Sequence, residues 1–213
     1  MALWRWSAPW HASQWDNEFG PIPWKYDHVR QRSDGSVDFI LNASGAPQLQ
    51  AVDGTPARRD GLWEAEVTLP EMRDGMIVAP LWLYNSDTRD EIDFEFAGRK
   101  GLDVSIHRYV DGVHKSKTVR LFAGQDFSGR TMRFGIDVDS DAGVIDMLVD
   151  GEVVYSFLRS DTGWFVNDPL RPFMQFFPLY PEDAGFVYWA GKWQGMRAGE
   201  ELRMTVHGYE YSN

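Results

Sequence analysis

The chain has 213 residues, with 21 Lys and Arg against 32 Asp and Glu, a formal net charge of −11, and no cysteine. That length makes one domain, or at most two small ones, able to bury roughly 70% of the surface its unfolded form exposes; without cysteine, disulfides and thiolate metal sites are excluded. The acidic balance and the lack of a Lys/Arg run argue against nucleic acid, whose affinity comes from counterion release by basic residues, and no apolar run approaches the ~20 residues of a membrane span.

Ten Trp, 8 Tyr and 13 Phe make 15% of the chain aromatic. The amino end has no basic leader, no apolar stretch of signal length and no small-residue cleavage site, so no export signal is expected in the sequence as written. Trp4, Trp6, Trp10, Trp15 and Trp24 lie among Pro and Gly in a loop-like amino-terminal stretch. Residues 1–28 are expected to be pinned to the domain by these rings, most of them packing and some free to line a groove.

Asp-Gly, which tolerates the positive φ angles of tight turns, occurs at 34–35, 53–54, 60–61, 74–75, 111–112 and 150–151. Residues 29–41 and 145–157 each read as strand, turn, strand, and residues 202–207 alternate strictly. No window of a dozen residues carries helical periodicity, and no repeat appears at a blade or solenoid period. The expected fold is therefore all-β: a single domain, residues 1–213, forming a sandwich of two antiparallel sheets.

Several motifs fail on inspection. Residues 137–143 resemble the start of a calcium loop, but the glycine falls at position seven instead of six, and Leu148 stands where a bidentate Glu is needed. They read as a polar turn. His11, His28, His107, His114 and His207 show no metal-ligand spacing, and neither a nucleophile elbow nor a phosphate-cradling glycine loop is present. Asn42-Ala43-Ser44 fits a glycosylation sequon. No cofactor and no metal are expected.

The segment that carries chemistry is Asp90-Glu91-Ile92-Asp93-Phe94-Glu95-Phe96-Ala97-Gly98. Strand periodicity puts Glu91, Asp93 and Glu95 on one face and Ile92, Phe94 and Phe96 on the other. Three like charges in a row repel, so the pattern needs a reason. A solvated strand face or a cation-holding cluster would supply one; a catalytic pair is the third. Glu91 and Glu95 have Cα atoms about 13 Å apart at the rise of a strand. Side chains leaning inward bring the carboxyls to ~6 Å, close to the 5–5.5 Å of a retaining glycosidase.

The pentapeptide 91–95 resembles the active-site strand of glycoside hydrolase family 16, which includes lichenases, laminarinases and xyloglucan-active enzymes. Residues 61–70, 145–151, 172–177 and 206–213 resemble further segments of that family in the same order, so the likeness runs over most of the chain. The resemblance implies a jelly-roll sandwich of two bent antiparallel sheets with a substrate cleft across the concave face. It implies Glu91 as nucleophile, Glu95 as acid/base and Asp93 assisting between them, in an endo-acting retaining hydrolase. The uninterrupted spacing before Glu95 is similar to the lichenase and xyloglucan branches, pointing to a β-1,3-1,4-glucan-like polysaccharide as partner. A monomer is expected, and an extracellular location follows from the substrate class alone.

Strand periodicity turns Ser105, His107 and Tyr109 one way and Val104 and Ile106 inward. His107 matches a sugar-contacting position of the family, and Gln175 and Phe177 are comparably placed. Gln48 and Gln50 stand where the family often has Glu and Arg, Arg89 replaces an aromatic, and His207 occupies a position that relatives give to an Asp associated with structural calcium. That calcium is accordingly not predicted. Two rivals stay open: a transglycosylase on the same scaffold, and a non-catalytic carbohydrate-binding sandwich, against which the crowded carboxylates argue.

Overall fold

The computed structural model describes residues 10–51 and 55–213. Trp4, Trp6 and the Asp53-Gly54 turn therefore lie outside the described residues. Two seven-stranded sheets face each other, and neither closes on itself. The first runs β1 (Trp10–Ala12), β4 (Gln48–Ala51), β13 (Arg171–Pro178), β6 (Met76–Tyr84), β7 (Glu91–Ala97), β8 (Leu102–Val110), β9 (Val113–Leu121). The second runs β12 (Glu152–Leu158), β11 (Val144–Val149), β10 (Thr131–Asp139), β5 (Gly61–Thr68), β14 (Leu202–Ser212), β3 (Val37–Leu41), β2 (Val29–Gln31). Every ladder between these strands is antiparallel. This is the open two-sheet sandwich the turn spacing predicts.

The core forms where the alternating apolar faces meet. Ile92, Phe94 and Phe96 from β7 and Val104 and Ile106 from β8 are buried against Trp63, Ala65 and Val67 of β5 and Phe134 and Ile136 of β10. Phe94 and Phe96 meet Phe134 across the layers edge to face, with ring centroids 5.3 and 5.9 Å apart. Each such ring contributes about 1.5–3 kcal/mol by leaving water. A one-residue slip of β7 would put its carboxylates in this core, so the apolar face fixes the register of the acidic one.

Asp111-Gly112 and Asp150-Gly151 close the β8–β9 and β11–β12 hairpins with φ of 53° and 78°, and 54° and 83°. Two successive positive φ angles are what a tight primed turn requires. Asp34-Gly35 lies in the β2–β3 connection, whereas Asp60-Gly61 and Asp74-Gly75 lead into β5 and β6 instead of joining paired strands. Residues 137–143 are the end of β10 and a turn into β11, as the failed calcium motif predicts.

Helical periodicity is absent from the sequence, yet two short α-helices occur among the described residues: α1 (Arg159–Thr162) and α2 (Ala184–Ala190). Helix α2 is nucleated by Asp183, whose side chain accepts the Phe186 backbone N–H at 3.0 Å. With seven residues it is too short for an apolar stripe to repeat. In the amino-terminal segment Trp24 is buried against Phe177 and Trp10 packs edge to face on Tyr209, while Trp15 and Phe19 are 47% and 46% exposed.

Candidate active site

Strand β7 pairs with β8 without a slip from Glu91 opposite His107 to Phe96 opposite Leu102. This regular ladder brings Glu91, Asp93 and Glu95 to the outer face of the first sheet, where all three line a groove of about 720 Å³. Asp93 is fully buried, and its neighbours Glu91 and Glu95 are partly so. Burial disfavours the charged form of all three. It lifts Glu91 well above the usual carboxylate range, helped by the charge of Asp93, and lifts Asp93 likewise, helped by Glu95. Glu95 is pushed up to about 8 by burial first, then by the charges of Glu91 and Asp103.

His107 lies in the same row. Its Nε2 stands 3.2 Å from Asp93 Oδ2 without hydrogen-bond alignment, and its Nδ1 is 3.1 Å from Nε2 of His114 on β9. Burial lowers the affinity of His107 for a second proton, partly opposed by Glu91. One donor atom each from Glu91, Asp93 and His107 converge within 4.8 Å, a grouping that could hold a cation among the described residues. The raised proton affinities and mutual contacts suit acid–base work.

The groove floor beside the carboxylates is built from neutral amides. Ser13 donates to Gln48 Oε1 at 2.5 Å, Gln50 donates to Ser13 Oγ at 2.9 Å, and Gln48 Nε2 donates to Gln175 Oε1. These amides sit on adjacent strands because Gln48 pairs with Gln175, and Gln50 with Phe173, across the β4–β13 ladder. Around them stand rings: Trp82 and Phe173 lie 4.5 Å apart between centroids, and Tyr84 packs on both. Flat apolar rings with a few polar groups between them suit the C–H faces and hydroxyls of a pyranose chain.

Of the residues the sequence singles out, Glu91, Asp93, Glu95, Gln48, Gln50, His107, Gln175 and Phe177 all line this groove. Ser105 and Tyr109 are not among its lining. Ser105 is buried and bonds Thr118 of β9 at 2.9 Å, and Tyr109, 37% exposed, stacks on His114 with the Arg89 guanidinium 5.1 Å from its ring. Their face is as the period predicts, but β9 and the hairpin end take up their side chains. Sequence reasoning did not single out Trp82, Tyr84, Phe173, Phe186 and Trp189, which also line the groove. The two-residue period on β6 and β13 could have found the first three; Phe186 and Trp189 ride on α2, which carries no such signal. His207, at the position discussed for calcium, meets the Thr68 hydroxyl at 2.6 Å.

Asp90, next to Glu91, ties the groove to a neighbouring loop by accepting the backbone N–H groups of Asn167 and Asp168 at 2.9 and 3.2 Å. On the other side, Asp103 faces Glu95 across the ladder and is held by Arg120 through two bonds of 2.8 and 2.7 Å.

An open β-sandwich whose one sheet carries a groove of rings, amides and buried carboxylates has the architecture of a carbohydrate-active protein. Residues 17–201 match the family model for glycosyl hydrolases family 16, and the chain belongs to that family. It is 31% identical over 136 residues to "Probable glycosidase CRR1" of Eremothecium gossypii, a match covering 60% of this chain and 30% of that protein. It is 26% identical over 163 residues to "Crh-like protein UTR2" of Candida albicans, covering 71% and 33%. The chain thus spans about a third of the length of these curated relatives. Among solved structures, Bacillus licheniformis beta-glucanase superposes with a TM-score of 0.74 at 20% identity, over 97% of this chain and 93% of that one. A Bacteroides ovatus family 16 protein of a mixed-linkage glucan locus, in complex with a G4G4G3G product, gives 0.77 at 16% identity over 95% and 94%. At these identities the superpositions establish a shared fold.

Proposed function

We propose that the chain is an endo-acting, retaining β-glycan hydrolase acting on a β-1,3-1,4-glucan-like polysaccharide. The observation that carries this reading is the uninterrupted β7–β8 ladder, which holds Glu91 and Glu95 on one face of one groove, two residues either side of a buried Asp93. Glu91, ionised, attacks the anomeric carbon while Glu95 gives its proton to the departing glycosidic oxygen, leaving a glycosyl ester on Glu91. Glu95, now ionised, takes a proton from water, which attacks the same carbon and releases Glu91. Two inversions give net retention. Asp93, between the two glutamates, raises the proton affinity of Glu91, so the nucleophile ionises only above the ordinary carboxylate range. A relative named as a probable glycosidase supports the reaction class, and solved neighbours named as a beta-glucanase or bound to a G4G4G3G product support the substrate class.

Glu91→Ala is expected to abolish release of reducing ends from mixed-linkage glucan while circular dichroism stays unchanged; near-wild-type turnover would reject the assignment. Glu95→Gln is expected to slow hydrolysis of the polymer at least a hundredfold, on the scale of a lost general acid, and to slow a dinitrophenyl glycoside far less, because that leaving group needs no proton. Equal losses would remove Glu95 from the acid role. Proton NMR of the first product should show the β-anomer.

Transfer to a sugar hydroxyl in place of water is the second reading. What favours it is the pair of rings, Phe186 and Trp189, that helix α2 adds to the groove.

A further inference from the structure

Asp103 is an aspartate only 2% exposed on β8, on the same face as the catalytic carboxylates and directly opposite Glu95. A fourth buried acid in an already crowded row needs compensation, and Arg120, opposite it on β9, supplies this with a two-pronged contact: Nε to Oδ1 at 2.8 Å and Nη2 to Oδ2 at 2.7 Å. The Oδ2 atom accepts one more bond, from Trp189 Nε1 at 2.7 Å. Arg120 Nη2 also reaches the backbone carbonyl of Trp189 at 3.4 Å. The indole of Trp189 is thereby fixed at its N–H and at its backbone by one ion pair rooted in the catalytic sheet.

Helix α2 is otherwise held by its Asp183 cap and by the partial packing of Phe186 and Trp189 on the core. Ala190 is its only fully buried residue, and Tyr188 is 87% exposed. Lys100 donates to the carbonyl of Tyr188, and Gly75 N–H to that of Ala190 at 2.8 Å; these fix the backbone, while the Trp189 ring packs partly against the core and leaves its N–H edge to be held by a polar partner. The Asp103–Arg120 pair supplies the polar contact that fixes the N–H edge of that indole.

We propose that Asp103 is a positioning residue which, clamped by Arg120, sets Trp189 as the ring contact for the sugar on the Glu95 side of the scissile bond, the leaving sugar first and an acceptor sugar afterwards. This rests on the function proposed above, since it takes Glu95 as the group that protonates the leaving oxygen and later deprotonates the acceptor. The same carboxylate has a second effect. Its charge helps raise the proton affinity of Glu95, alongside Glu91 and behind burial, while Asp93 lies between the two glutamates on their own strand and Arg120 tempers Asp103 from β9.

The test uses the full chain and mixed-linkage glucan. In a Glu91→Ala background, where turnover is blocked, calorimetric titration with a purified glucan heptasaccharide should show binding weakened about tenfold by Trp189→Ala, the scale of one lost stacking contact. Trp189→Phe, which keeps a ring but loses the N–H, should weaken it about threefold. Unchanged affinity in Trp189→Ala would overturn the proposal. In the otherwise native chain, Asp103→Asn should raise KM for the polymer several-fold and move the alkaline limb of kcat/KM to lower pH. A lower melting temperature with an unmoved alkaline limb would mean a merely structural brace and would also overturn it. Should Glu91→Ala instead turn over glucan like wild type, the catalytic assignment would fail, and titration with a non-hydrolysable, sulfur-linked glucan heptasaccharide would still decide whether Trp189 contacts the sugar.

Discussion

Glu95 can act as an acid near neutrality because its carboxyl holds its proton up to about 8. Activity that needs this proton is retained below that value and lost as pH rises through it. In the proposed mechanism Glu91 must be ionised to attack; its affinity is raised by burial and then by Asp93, so activity is expected to be lost as pH falls through a value above the ordinary carboxylate range. The three carboxylates titrate as one system, and the limbs of the profile belong to the trio. Asp93→Asn removes both the charge and the acidic hydrogen-bond partner that raise Glu91. On a dinitrophenyl glycoside, where leaving-group protonation is not limiting, this variant is expected to move the acid limb of kcat/KM to lower pH and to lower kcat. An unmoved acid limb would show that Asp93 does not set the nucleophile's proton affinity.

At the scale of elements, the groove is walled on one side by the amino-terminal loop that carries Trp15 and Phe19. This loop meets the end of β13 at backbone contact. A Cβ on Gly20 would lie 1.7 Å from the Pro178 carbonyl oxygen, and Tyr180 N–H donates to the Phe19 carbonyl at 3.1 Å. Gly20→Ala should push the loop outward at a cost of about 1–3 kcal/mol, lowering Tm by roughly 2–4 °C per kcal/mol and raising KM more than it lowers kcat. An unchanged Tm would count against this contact. The contrast between β7 and α2 shows what a sequence displays. Residues 91–96 alternate, so the face of each side chain is legible, and the hairpins at 111–112 and 150–151 are legible from their dipeptides. Period alone does not say which neighbour claims a side chain, as with Ser105, taken by Thr118. Nor does it reveal Trp189, whose bond to Asp103 spans 86 residues and exists only once the sheet has formed.

At the scale of the whole molecule, the apolar layer between the sheets sustains a groove that opposes folding. Glu95 has a higher proton affinity in the folded chain than its ordinary value of 4.5, so the folded state binds more protons between about 4.5 and about 8. Stability therefore falls as pH rises through that window. Below it both states are protonated and no penalty exists; above it the penalty is complete. Glu91 and Asp93, raised in the same direction, add to the effect. A neutral isostere removes the penalty without leaving a cavity, as expected where an active site is strained for function. Glu95→Gln should thus melt several degrees higher than wild type at pH 8.5, at roughly 2–4 °C per kcal/mol recovered for a chain this size, and the gain should shrink to nothing at pH 4. Thermal denaturation of both proteins at pH 4, 6 and 8.5 would measure it. A difference in Tm that is the same at all three values would mean that the glutamine acts through packing, and that Glu95 is no more costly to ionise in the groove than in water.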